Sequence, residues 1–328
     1  MARNFRRVLL KRMLNAFITV LLIMSLNFVL FRMVPADPAL LMMNRDPQTT
    51  MAVYWRNVET MGLNDSLPEQ YIGYMIDTFR GDWGTSYEYR MPVLEVTKAA
   101  IGWTILLVGT STVLVFIIGI ALGKLAAMRR GKATDLSITG FGIFFYGMPV
   151  FWFALLLLII FAGHLAWFPV AFRMTPGTTP FPITIDKIAD ILWHMALPVA
   201  TMTIGGVAGV ILIMRNSLVD VLTEDYVVTG YAKGLSAKQV MKRHAGPNAR
   251  LPIVTTLAMD VAFIFGGAFQ VEIIFGYKGI GWYTIMAIWN SDYPMCQFIF
   301  LIGGVAVVVA NLIADLVLVK LDPRVQIT

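Results

Sequence analysis

Residues 102–123 read GWTILLVGTSTVLVFIIGIALG, a run without a single charged side chain. Wound as an α-helix at about 1.5 Å per residue, a stretch of this length crosses a hydrocarbon core roughly 30 Å thick. In lipid only helices and closed barrels satisfy their own backbone groups, and a barrel strand shows about ten residues of alternating polarity. This run is apolar all round. Five others share the pattern, so spans are expected near 13–33, 102–123, 136–161, 194–214, 253–275 and 296–319. Composition agrees: 58% of the 328 residues are hydrophobic and 14% charged, at a mean hydropathy of +0.71. Soluble domains lie nearer half apolar and about a quarter charged. The expected fold class is all-α, a polytopic membrane protein with about six transmembrane helices. The fourth span is the weakest, thinned by Gly205, Gly206 and Gly209 and interrupted by Pro198. Small residues in a membrane helix mark close packing, which places this span inside the bundle.

Charge sets the orientation. With the N-terminus inside, seventeen of the twenty-six Lys and Arg residues fall on cytoplasmic segments, among them Arg6, Lys124, Arg129, Arg215, Lys238 and Lys320. Such an excess marks the cytoplasmic side. Residues 35–100 carry nine carboxylates and are expected outside. The net charge of +6 is therefore spread over one membrane face, a poor match to a nucleic-acid patch. The first apolar segment has a basic flank like that of a signal peptide. Its apolar part is long and no small-residue cleavage site follows, so it reads as a retained helix. Three parts result: a cytoplasmic N-terminus with the first helix (1–34), an extracytoplasmic region (35–100) and a five-helix core (101–328). Within the second, Ser66-Leu67-Pro68-Glu69 is a capping-box pattern. Tyr71, Ile72, Met75, Ile76 and Phe79 follow at helical spacing, and Gly81-Asp82-Trp83-Gly84 ends that helix. Residues 163–190, with Pro169, Pro176, Pro180 and Pro182, read as an irregular outer loop. The one cysteine, Cys296, lies in an apolar run and reads as a buried thiol.

The core is interrupted by a long polar island from about Arg215 to Pro252. It reads as two short helices with a break, and Pro247 and Pro252 fix its far end. Val227, Val228, Tyr231 and Leu235 give the first helix an apolar stripe. Gly230 and Gly234, four apart, share a face. Each Gly destabilises a helix by about 1 kcal/mol relative to Ala, so two on one face suggest a close neighbour. Lys238, Lys242 and Arg243 make the next stretch basic. An ordinary solvated loop and a docking element both fit this pattern.

The island carries a resemblance. Glu224-Asp225-Tyr226-Val227, Ala232-Lys233-Gly234-Leu235, Arg243-His244-Ala245, Asn248-Ala249 and Leu251-Pro252 are similar to the coupling loop of permease subunits of ABC importers. The match is to the dipeptide/oligopeptide family, and it extends over the chain in order. Its further carriers are Pro35-Ala36-Asp37-Pro38, Gly81-Asp82-Trp83-Gly84-Thr85-Ser86, Met148-Pro149-Val150-Phe151-Trp152, Glu272-Ile273-Ile274-Phe275 and Asp322-Pro323-Arg324-Val325. Two departures stand in the loop: Val228-Thr229-Gly230-Tyr231 replaces the family's Arg-Thr-Ala-Arg, removing two arginines, and Gly246-Pro247 replaces a more helical pair before Asn248. Outside it, Tyr277-Lys278 stands where the family commonly has Pro before Gly-Ile/Leu-Gly. The resemblance implies a type I importer permease in a plasma (inner) membrane, with both termini cytoplasmic and a coupling loop at about 216–252. Its implied partners are a second homologous permease, two ATP-binding subunits that bring ATP and Mg, an extracytoplasmic solute-binding protein and membrane lipid. Peptide is the implied cargo, with oligosaccharide and metal chelate as other cargoes of the family. It implies that Asp225, Tyr226, Gly230, Ala232, Lys233, Gly234 and Leu235 meet the ATP-binding subunit, while His244 and Asn248 brace the loop.

This chain is expected to hold no cofactor, no metal and no catalytic residue. A phosphate-cradling Gly-x-x-x-x-Gly-Lys-Ser/Thr motif is absent, and Gly119-Ile120-Ala121-Leu122-Gly123-Lys124 lacks its spacing. His164, His194 and His244 show no ligand spacing, and no serine has a Gly-x-Ser-x-Gly context. Asp260 and Asp315 fall in apolar runs, where carboxylates are costly and often functional. They leave open a self-contained, proton-coupled secondary transporter. Glu272, Asp260 and Trp152 are candidates for the pathway or its gate.

Overall fold

Backbone groups that meet no water in lipid must be paired within their own segment. The chain obeys this almost throughout. The computed structural model describes residues 2–33, 37–44, 50–264 and 268–321. Among them the one β-type pairing is a bridge between Thr85 and Pro92. The helices are α1 (Ala2–Met33), α2 (Pro38–Asn44), α3 (Met51–Thr60), α4 (Leu67–Arg80), α5 (Val93–Met128), α6 (Ala133–Tyr146), α7 (Val150–Leu157) and α8 (Ile185–Leu222). They continue as α9 (Asp225–Ala232), α10 (Ala237–Val240), α11 (Gly246–Ala249), α12 (Leu251–Phe263), α13 (Phe269–Ile274), α14 (Ile280–Trp289) and α15 (Tyr293–Leu321). Wider, π-type turns extend α7 over Leu158–His164 and join α10 to α11 over Met241–Ala245.

Four helices are long and apolar enough to span: Leu10–Met33 of α1, α5, α8, and Tyr293–Ile313 of α15. α6 and α7 with its π turns qualify as a pair, bent by 99°. The bend falls at Gly147-Met148-Pro149, where proline blocks a helical residue before it. Four expected spans are thus present, and the expected 136–161 span is a sharply bent helix pair, a fifth crossing if the pair is one span. The other, 253–275, is not one helix: α12 ends at Phe263 and α13 begins at Phe269, with 265–267 outside the described residues. The span that sequence made weakest belongs to α8, which is 38 residues long and the most buried of the four. Pro198 sits inside it without ending it, as packed neighbours allow in a membrane bundle.

α5 and α8 run side by side in the same direction, since Val115 meets Gly206, Gly119 meets Val210 and Gly123 meets Met214. A Cβ on Gly119 would stand 2.6 Å from Cβ of Val210, and one on Gly123 would stand 2.7 Å from Cβ of Met214. Small residues four apart let two backbones approach this closely. Of the glycines that thin α8, only Gly206 lies tight against α5, where a Cβ on it would stand 3.1 Å from Cγ2 of Val115. α6 and α7 return the chain between them. At the start of α6, Asp135 is gripped by Arg215 of α8, with Nε to Oδ1 at 2.6 Å and Nη2 to Oδ2 at 2.8 Å. α15 runs antiparallel to α1, where Gly304 meets Ile23 and Asn27 Nδ2 donates to the Gln297 carbonyl at 2.8 Å.

The bundle therefore has two ends. One carries the 129–132 turn and the 223–250 segment; the far end carries residues 37–44, 50–92, 165–184 and 275–292. The α4 capping box is present, with Ser66 N donating to Glu69 Oε2 at 2.9 Å, and Gly81 closes the helix at φ 84°. Cys296 is buried. Pro35-Ala36, residues 322–328 and the Asp315 side chain lie outside what is described.

Candidate functional site

The polar island folds as a compact shelf under the bundle. α8 runs to Leu222, and Thr223 Oγ1 donates to the Asp220 carbonyl at 2.7 Å as the chain turns. Glu224, in an extended conformation, precedes α9. Asp225 lies in the first turn, where negative charge suits the helix dipole. Val227 and Gly230 face inward and are buried. A Cβ on Gly230 would meet Val240, His244 and Leu235 at 3.6–3.8 Å. The close neighbour of Gly230 is therefore the second half of the same segment.

Gly234 has a different reason to be glycine. Leu235 N donates to the Gly230 carbonyl at 3.2 Å and Gly234 N to the Tyr231 carbonyl at 2.9 Å. That pairing is a Schellman cap, which requires the left-handed conformation found at Gly234, φ 80°. No atom lies within 4 Å of a Cβ built there. Gly230 and Gly234 thus do not form one glycine face: the first packs inward and the second ends the helix. A second cap follows, in which Ser236 N donates to Gln239 Oε1 at 2.8 Å. Pro247 and Pro252 stand in the first turns of α11 and α12, so they open helices instead of closing the segment.

His244 and Asn248, expected to brace the loop against its own bundle, make the following contacts inside the segment. His244 lies under Gly230, and Asn248 Nδ2 donates to Tyr226 Oη at 3.1 Å and to the His244 carbonyl at 3.0 Å. Both therefore tie the segment to itself. What seats it on the bundle is a pair sequence reasoning missed, Ala245 and Ala249. Both are fully buried, in one apolar cluster with Met214 and Leu218 of α8. Ser217 Oγ adds a bond to the Ala249 carbonyl at 3.1 Å. The Ala-x-x-x-Ala spacing was the available signal. The outer surface of the shelf is left with Tyr226, Val228, Tyr231, Ala232, Lys233 and Gly234 exposed, and with Lys238, Lys242 and Arg243 exposed beside them. An apolar strip with aromatic anchors and a basic border is the composition of a protein-contact surface.

The gate candidates do not gather. Glu272 has no exposed surface and lines nothing. Its Oε1 accepts from Thr104 Oγ1 at 2.9 Å and its Oε2 from Trp282 N at 2.9 Å, while Thr104 Oγ1 accepts from Ile280 N at 2.8 Å. It is a brace joining α13, α14 and α5. Trp152 is exposed on α7, Asp260 is half-buried on α12, and neither is among the partners of Glu272. A second buried acid, Asp292, escaped sequence reasoning. It accepts from Ser86 Oγ, from Tyr87 N at 3.1 Å and from Glu88 N at 3.2 Å, pinning the 85–92 turn to the start of α15. Beside it, burial pushes the Tyr89 hydroxyl up to about 12. Among the described residues no three His, Cys, Asp or Glu side chains gather as metal ligands.

Comparison with known proteins matches this architecture. Residues 119–327 fit the family described as the binding-protein-dependent transport system inner membrane component, and residues 5–107 fit the N-terminal region of such membrane components. The oligopeptide transport system permease protein AppB of Bacillus subtilis is 34% identical over 319 residues, covering 97% of this chain and 98% of its own. The dipeptide permease DppB of Escherichia coli K12 is 30% identical, covering 92% of this chain and 93% of its own. The oligopeptide permease OppB of Haemophilus influenzae is also 30% identical, covering 98% and 99%. With the family matched over most of its length and its apolar helices in place, the chain is a multi-pass membrane protein and belongs to the inner-membrane components of binding-protein-dependent transport systems.

Proposed function

We propose that this chain is a permease subunit of a peptide importer, driven by ATP-binding subunits that seat on the shelf formed by residues 225–248. The observation that carries it is the exposed pair Val228 and Tyr231 on a segment fastened to α8 through Ala245 and Ala249. A rigid mount and an unpartnered contact face are what transmission of a rigid-body motion requires. Two such subunits and a solute-binding protein complete the assembly, and ATP and Mg belong to the partners. The Lys and Arg excess supports a cytoplasmic shelf end and cytoplasmic termini.

Peptide is preferred as cargo because the relatives above carry oligopeptide and dipeptide permease names. Those names do not favour oligosaccharide cargo or a self-contained secondary transporter. The shelf shifts the bundle between inward-open and outward-open states when ATP draws the partner subunits together. Co-purification is the direct test. The chain is expected to bring down its ATP-binding subunits in stoichiometric amount, and Tyr231→Glu, on the exposed face, is expected to abolish this at unchanged expression. Full complex formation and peptide uptake by Tyr231→Glu would remove the shelf from the mechanism.

A further inference from the structure

At the far end of the bundle a bay opens between the 172–180 loop and the turn that carries Gly276 and Lys278. The loop is built onto that turn. Phe172 N donates to the Phe275 carbonyl at 2.9 Å, and a Cβ on Gly276 would stand 3.3 Å from Cβ of Ala171. On the other side Thr175 is tied to Asp190 of α8 through its N at 2.8 Å and its Oγ1 at 2.6 Å. Two cations border the bay. The Arg173 guanidinium lies 4.9 Å from the Trp103 ring centroid and donates through Nη1 to the Lys278 carbonyl at 3.0 Å. Lys278 Nζ stands 5.4 Å from the Trp282 ring.

The bay has no acid of its own. Its lining is Arg173, Lys278 and uncharged residues of the types Phe, Met, Thr, Pro and Gly. Asp190 is occupied by Thr175 and His194, and Glu272 is enclosed in its own bonds. Among the described residues no carboxylate pairs with Arg173 or Lys278. Burial lowers the pKa of Arg173, and the neutral Tyr283 and Tyr277 hydroxyls nearby offer it no counter-charge. A half-buried guanidinium with a single carbonyl partner keeps N–H donors in a planar fork that fits a carboxylate. An incoming anion relieves the burial penalty of that charge.

We infer that this bay holds the terminal carboxylate of the peptide, between Arg173 and Lys278, on the side from which cargo arrives. This rests on the peptide-importer reading. A carrier of peptides of many sequences needs a handle that every peptide possesses, and the terminal carboxylate is one. The uncharged remainder of the bay leaves the neighbouring side chain unselected, so the site reads the chain end and not the sequence.

The test uses the complete importer in vesicles with its solute-binding protein, supplied with a mixed-sequence tripeptide pool or the same pool C-terminally amidated. Both pools are held at concentrations that saturate the binding protein, so the acid-to-amide preference in uptake reports the permease. Lys278→Gln and Arg173→Gln are each expected to lower free-acid uptake about tenfold, the scale of one charge-assisted hydrogen bond, and to leave amide uptake unchanged. Arg173→Lys, which keeps the charge, is expected to retain part of the preference and serves against a folding defect. An unchanged preference in the Gln variants overturns the inference, as does an equal fall for both pools, which is the signature of a damaged docking face. A wild-type importer that takes up neither pool overturns the peptide reading and the inference with it.

Discussion

Glu272 and Gly234 show how a single side chain, or its lack, fixes a turn. Glu272 is buried with its carboxylate shared between Thr104 and the Trp282 amide, and Thr104 passes a bond on to the Ile280 amide. Thr104→Val removes a hydroxyl that serves both neighbours and is expected to destabilise the folded protein by about 2 kcal/mol, whereas Thr104→Ser is tolerated. Thermal inactivation in detergent, followed by size-exclusion, reads the difference. At Gly234 the left-handed φ of 80° penalises any Cβ by about 1–2 kcal/mol. Gly234→Leu is expected to lose peptide uptake at normal membrane insertion, and uptake at the wild-type rate would break the link between this cap and coupling. Ser66 donates its hydroxyl and its amide to Glu69, which holds that carboxyl below its usual range. The folded pKa lies under the unfolded value of about 4.3, so this stabilisation is complete above that pH and is lost as pH falls through the folded value. Limited proteolysis across an acid titration is expected to cut α4 at lower pH in the wild type than in Ser66→Ala.

Elements meet here through glycine and through one ion pair. Gly123→Ala would place a Cβ 2.7 Å from Met214 Cβ and 2.8 Å from the Ile211 carbonyl, so α5 and α8 are expected to separate and the yield of monodisperse protein to collapse. Gly109→Ala, with nothing within 4 Å, is the control expected to behave as wild type. The Asp135–Arg215 pair clamps the start of α6 to the lower part of α8. Arg215→Ala leaves a buried carboxylate without its partner, a loss of about 3–5 kcal/mol, and Asp135→Asn combined with it is expected to recover part of that in the same melting assay. The spanning elements and the α4 capping box were legible, because period and hydropathy act locally. The α5–α8 contact was written in the chain as Gly119-x-x-x-Gly123, a spacing first weighed only as a failed phosphate loop. The broken span at 253–275 was passed over although Gly266-Gly267, a pair that breaks helices, stands between the two helices; the apolar residues on either side outweighed it. Asp292 and Thr104 were hidden for another reason: their partners lie about 170 to 206 positions away along the chain.

At the scale of the molecule, α8 is one rod of 38 residues, about 57 Å long at a helical rise of 1.5 Å. One tip holds the cargo-side loop through Asp190 and Thr175, and the other runs into the shelf. Purified alone into vesicles, the chain is expected to move no peptide against its gradient, whatever nucleotide is supplied. Uphill movement by the lone polypeptide would refute dependence on partners. The general architecture could be read from residue order alone, but the parallel course of α5 and α8 could not, because hydropathy fixes which segments cross and not which lie together.

Ala245 and Ala249 share one buried cluster with Met214 and Leu218 of α8, and Ser217 of the same rod bonds the Ala249 carbonyl. With only methyl groups between the segment and that rod, a push on the exposed face near Tyr231 is passed to α8 with little slack, and Met214, whose side chain lies against Gly123, is among the residues that receive it.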